Sequence, residues 1–157
     1  MSRLTILLTS IFLLIGCAVE DSPEQQIREM LERAETVLES RALLDARSLV
    51  SDAYQDEAQR SKRELIRLLG GYFLRNQSIY LLVQIDRIDL KEPQRPRVTL
   101  YAAMAGKPIA DIDALLSLRA ALYRFDLELI LEEDEWRVIS GRWQPATRED
   151  FLGMERR

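Results

Sequence analysis

Ile79-Tyr80-Leu81-Leu82-Val83-Gln84-Ile85-Asp86 is the stretch on which the fold turns. Ile79, Leu81, Val83 and Ile85 alternate with Tyr80, Leu82, Gln84 and Asp86, giving a strand with one apolar face and one mixed face. Ile88 and Leu90 carry the opposite phase, which predicts a bulge near Asp86-Arg87. Downstream the same period recurs. Val98, Leu100, Ala102 and Met104 define a second strand, after a connection with two prolines at 91–96. Tyr123, Phe125, Leu127, Leu129 and Leu131 define a third, with Arg124, Asp126 and Glu128 on its other face. An acidic turn at 132–135 leads into a fourth, where Trp136, Val138 and Ser140 alternate as far as about Trp143, before Pro145. The connection at 106–117 has room for one helical turn after Asp111.

Upstream the period is helical. Ser22-Pro23-Glu24-Gln25 reads as an N-cap, a proline at the first helical position and a capping box. Ile27, Met30, Leu31, Ala34, Val37 and Leu38 then form one stripe over about 23–39, with Glu24, Arg28, Glu32, Glu35 and Glu39 assigned to water. A shorter stripe, Leu43, Leu44, Leu49 and Val50, precedes a polar loop at 51–59. Ser61-Lys62-Arg63-Glu64 is a second capping box, followed by Leu65, Ile66, Leu68 and Leu69. Gly70-Gly71 is expected to end or loosen that helix near Tyr72 and Phe73. Helices first, then consecutive strands joined by connections too short for crossover helices, define α+β: N-terminal helices packed on an antiparallel sheet.

Before the first helix, Leu4 to Ile15 is apolar apart from Thr5, Thr9 and Ser10, follows Arg3, and ends at Leu14-Ile15-Gly16-Cys17. A run of this length fits a signal h-region and falls short of the roughly 20 residues that span a bilayer. The stretch resembles the lipobox of bacterial lipoproteins. That resemblance implies a signal peptide at 1–16, a lipidated Cys17 and a tether at 17–21; a domain at 22–145 follows, then a polar tail at 146–157 that carries Phe151, Leu152 and Met154 and has room for a last loose helical turn. It also implies a chain facing the periplasm, bound to the bilayer through acylated Cys17. Ala18 follows, with no adjacent aspartate. In enteric bacteria this resembles lipoproteins sent to the outer rather than the inner membrane.

The chain carries 22 Lys+Arg against 26 Asp+Glu, a net charge of −4, without a basic cluster, which argues against nucleic acid as a partner. It contains one cysteine and no histidine. An intramolecular disulfide is therefore impossible, and the commonest metal ligand and general base is missing. No metal and no cofactor are expected.

Three features from 22 to 145 carry a further likeness: the long capped helix, the run Leu49-Val50-Ser51-Asp52-Ala53-Tyr54-Gln55-Asp56, and the ending Glu135-Trp136-Arg137-Val138-Ile139-Ser140-Gly141-Arg142-Trp143. Together they resemble the NTF2-like superfamily, also called cystatin-like or SnoaL-like. The resemblance implies a long helix and two shorter ones on a curved sheet that closes a cone. It covers both small isomerases, cyclases and dehydratases and members without catalysis, so fold alone does not choose.

Tyr54, Tyr72, Phe73, Tyr123, Phe125 and Trp136 are candidates to line an apolar pocket in the cone, or else simply core. Asp56, with Tyr54, is the candidate acid–base pair and Asp52 a lesser one; the plain alternative is a solvated loop or a cap. Tyr80, Leu82, Tyr101, Arg124, Asp126 and Glu128 share the outer sheet face, which reads either as a docking surface or as a face of cross-strand ion pairs. The expected function is a non-catalytic envelope lipoprotein that binds a small apolar ligand, an envelope protein or a second copy. The alternative is an isomerase- or cyclase-type enzyme using a loop carboxylate.

Metabolic labelling with a palmitate analogue should mark the wild-type chain and leave Cys17→Ala unlabelled; equal labelling of the two would remove the anchor.

Overall fold

The computed structural model describes residues 22–109 and 120–154. Cys17, the tether and the expected helical turn after Asp111 lie outside the described residues. Three helices come first: α1 at Pro23–Glu39, α2 at Leu43–Ser48 and α3 at Lys62–Arg75. Four strands follow, β1 at Tyr80–Asp89, β2 at Arg97–Ala105, β3 at Ala121–Glu132 and β4 at Glu135–Pro145. A last helix, α4, spans Arg148–Met154. The strands form one antiparallel sheet in the order β1-β2-β3-β4. The fold is α+β, as the change of period requires.

Ser22 caps α1 by accepting a hydrogen bond from the Gln25 amide at 3.2 Å. The expected reciprocal half of that box is absent, because the Gln25 side chain donates instead to Glu29 at 2.9 Å. The second box is intact on its acidic side: Glu64 accepts from the Ser61 amide at 2.8 Å. α3 does not end at Gly70-Gly71 but runs through them to Arg75. Neither glycine needs a positive φ. A Cβ on Gly70 would stand 3.3 Å from Leu43 Cδ2, so the glycine lets α2 approach closely.

Ile27, Met30 and Leu31 of α1 bury against Val98, Leu100, Ala102, Leu129 and Trp136. Leu129 pairs with Val138, whereas Glu128 pairs with Ser140, so Ile139 is an extra residue in β4. A matching shift between Ile85 and Arg87 places a bulge at Asp86, where the reversed phase of β1 calls for one. The β4 bulge was not foreseen, and it inverts the expected phase beyond it. Gly141 and Trp143, not Ser140, take the inner face, opposite Leu127 and Phe125.

The loop after α2 runs along β4. Leu49 O accepts from the Val138 amide at 2.9 Å, the Ser51 amide donates to Val138 O at 2.9 Å, and the Gln55 amide donates to Ile139 O at 3.1 Å. These bonds cover an edge that would otherwise offer unpaired backbone groups. Residues at the C-terminus are more than a polar tail. Phe151 of α4 is fully buried against Ala103 on the outer sheet face, with Leu82, Tyr101 and Leu122 around it.

Phe151→Ala should lower stability by about 3–5 kcal/mol in denaturant unfolding. Leu44→Ala, at a side chain 82% exposed, should stay within about 0.5 kcal/mol.

Candidate functional site

α3 packs on α2 but stands off from α1 and from the strands over most of its length. Its C-terminal end is pinned, with Phe73 buried against Ile79 and Leu81. The space left between α1, α3 and the inner sheet face is a cavity of about 260 Å³. Its floor includes Leu100, Ala102, Phe125 and Leu127, and its walls include Met30, Leu31 and Leu38 of α1 and Leu65, Ile66 and Leu69 of α3. The cone is therefore hollow. Its volume lies just under the roughly 300–1,000 Å³ of ordinary small-molecule sites.

Of the six aromatic residues expected around it, Tyr54 and Phe125 line the cavity. The other four do not. Tyr72 and Phe73 belong to the cluster that pins α3, because the helix continues past the glycines and carries them beyond the cavity. Tyr123 packs on Phe125 with ring centres 6.2 Å apart. Trp136 is buried beside α1 and donates its indole N–H to Gln26 at 3.1 Å. Trp143 takes the place at the wall that the sequence reading gave to none. Only the β4 bulge puts it there, and no residue type at 138–141 signals that bulge.

Glu35 is the charged side chain among the lining residues. It is half-buried rather than facing water as expected. The spacing contains the signal: Glu35 lies four residues after Leu31 and three before Leu38, on the same stripe. Burial raises its carboxyl above the ordinary value of 4.5, and the charges of Glu39 and Glu32, one turn to either side, push the same way. Glu39 itself accepts from the Leu81 amide at 2.7 Å, tying α1 to β1.

Tyr54 and Asp56 enter from the loop held on β4. Asp56 is buried and accepts from the Arg60 amide at 2.9 Å and from Arg60 Nε at 2.7 Å. Burial raises its carboxyl, but the Arg60 amide and guanidinium outweigh that and leave it below the usual range. A carboxylate held this way is a poor proton acceptor, and Asp56 does not line the cavity. The Arg60 guanidinium lies 4.6 Å from the Trp143 ring centre. Burial and the neighbouring Asp56 push the Tyr54 phenol up to about 12. Asp52 is solvated, its side chain 90% exposed and paired with Lys62 at 2.8 Å.

The outer face is a network of ion pairs. Asp126 accepts from Arg124 at 2.9 Å, from Arg142 at 3.1 Å and from Thr99 at 3.0 Å. Glu128 pairs with Arg95 at 3.1 Å. Leu82 and Tyr101 are half-buried beside α4, with Tyr101 edge-on to Phe151 at 5.8 Å. Tyr80 is half-buried at the start of β1. Among the described residues no group of acidic, histidine or cysteine side chains is arranged to hold a metal, and no helix is long and apolar enough to cross a membrane.

No known family's sequence profile matches the chain, and no curated protein matches it. Solved structures do. A protein described as a candidate scytalone dehydratase from Novosphingobium aromaticivorans superposes with a TM-score of 0.64 at 9% identity, covering 79% of this chain and 84% of that one. A candidate dehydratase of the NTF2-like family from Streptomyces avermitilis gives 0.62 at 13% identity, covering 80% and 99%. Bd1075 of Bdellovibrio bacteriovorus gives 0.62 at 10% identity, covering 78% of this chain; the chain spans only 40% of Bd1075. The fold is the NTF2-like cone. At these identities the likeness is one of fold.

A glutamate held above its ordinary value binds more protons folded than unfolded, so its contribution to stability falls as pH rises from about 4.5 through the raised value. Glu35→Gln should therefore raise the melting temperature at pH 7 relative to wild type and leave it nearly unchanged at pH 4. A gain equal at both pH values would mean that the glutamate is not destabilised by ionisation.

Proposed function

We propose that the chain is a lipid-anchored envelope protein whose cone holds a small, mostly apolar ligand without converting it. The observation that carries the binding function is the cavity between α1, α3 and the sheet, walled by aliphatic and aromatic side chains. Apolar cavities hold water poorly and gain from an apolar guest. The anchor is read from Leu14 to Cys17, and Ala18 favours the outer membrane. The catalytic alternative draws on the fold, since two of the neighbours are named as dehydratases. Its candidate base, Asp56, is the carboxylate that Arg60 holds ionised and outside the cavity wall. An internally paired outer face, partly roofed by α4, favours ligand binding over protein docking there.

The test is binding of a small environment-sensitive apolar fluorophore. Wild type should enhance its emission, and Ala102→Phe, which fills the floor beside Leu100 and Phe125, should abolish the enhancement while far-ultraviolet circular dichroism is retained. Undiminished binding in the filled variant would exclude the cone as the site.

A further inference from the structure

Glu35 gives the cavity a direction that aliphatic walls alone would not. It is half-buried on α1, it lines the cavity, and no described side chain offers it a hydrogen bond or an ion pair. Three other acids around the cone are already engaged. Asp56 is held by Arg60, Glu39 accepts from the Leu81 amide, and Glu64 caps α3. None of the lining residues is a lysine or arginine. The nearby charges that act on Glu35, those of Glu32 and Glu39, are also negative. The wall formed by this side of α1 is therefore electrostatically short of a cation.

We propose that the ligand of the cone is a small apolar amine, with its ammonium on Glu35 and its hydrocarbon body against Leu100, Ala102, Phe125 and Leu127. This rests on the cone being the binding site and adds the chemical class of the occupant. An ammonium at Glu35 replaces the hydration that burial removes and offsets the repulsion from Glu32 and Glu39. An aromatic ring such as that of Phe125, which lines the cavity, attracts cations rather than anions, while Trp143 already carries the Arg60 guanidinium 4.6 Å from its ring centre. A fatty acid of the same size would meet an unpaired carboxylate. An alcohol would fill the space without neutralising it. The pH dependence follows from the direction in which Glu35 is shifted. Lowering the pH protonates it and removes the charge that selects the amine.

The experiment uses the full chain carried in phospholipid nanodiscs, with empty nanodiscs as the blank. Cyclohexylmethylamine, cyclohexylmethanol and cyclohexanecarboxylate are titrated calorimetrically at pH 7.5 and pH 4. At pH 7.5 the amine should bind at least about tenfold tighter than the alcohol, equivalent to roughly 1.4 kcal/mol, and the carboxylate weakest. In Glu35→Gln the amine and alcohol affinities should converge, as they should in wild type at pH 4. Equal amine and alcohol affinities in wild type at pH 7.5, or a preference that survives Glu35→Gln, would overturn the assignment of an amine while leaving an apolar site. Binding of none of the three, or binding unaffected by Ala102→Phe, would overturn the cone as the site altogether.

Discussion

One extra residue in β4 governs how the cone is built. With Ile139 inserted opposite the Glu128–Leu129 step, the strand changes phase midway. Before it, Trp136 and Val138 face α1; after it, Gly141 and Trp143 face the interior. The bulge also turns the Val138 and Ile139 backbone outward, and buried backbone groups must be paired. The loop at 49–55 supplies the partners. In doing so it carries Tyr54 to the cavity wall and Asp56 to the place where Arg60 meets it. Gly141 belongs to the same arrangement, since a Cβ there would stand 3.3 Å from Leu127 Cδ2 and 3.6 Å from the Tyr54 hydroxyl oxygen.

The hollow interior has a separate cause. α3 is fastened at its two ends and not along its middle. Phe73 sits in the cluster with Ile79 and Leu81, while Glu64 and Lys62 tie the first turn to Ser61 and Asp52. Gly70 brings α2 close to α3. Leu65 and Ile66 are left facing the sheet across open space, while Leu69 reaches the pinning cluster. A core of this kind gives up packing energy that a filled cone would gain, roughly 24 cal/mol for each Å³ left empty when a buried side chain is truncated.

Fold class was legible because it depends on period. Ile79 to Ile85 alternate and Ile27 to Leu38 do not, and no tertiary contact is needed to see either. The Asp86 bulge was legible too, through the reversed phase of Ile88 and Leu90. The Ile139 bulge was not, because Val138-Ile139-Ser140-Gly141 reads equally well in either phase, and Trp143 was lost with it. Glu35 was lost for another reason. Its spacing from Leu31 and Leu38 places it on the apolar stripe, but its charge suggests water, and only the cavity reconciles the two. The glycines of α3 misled because close approach and helix termination use the same residue. Phe151 sits in a segment too polar overall to show that one ring would be buried on the far side of the sheet.

The contact from Trp136 to Gln26 joins positions 110 residues apart, and the loop bonded to β4 spans nearly as far. The four strands, by contrast, pair each with the next. Neighbouring hairpins close short loops at little entropic cost, whereas docking α1 closes most of the chain at once. α1 meets α2 and β1, its neighbours in sequence, but its seat is complete only when β4 brings Trp136 to Gln26. A chain made from its N-terminus would have α2 and β1 available to α1 well before Trp136 can reach Gln26.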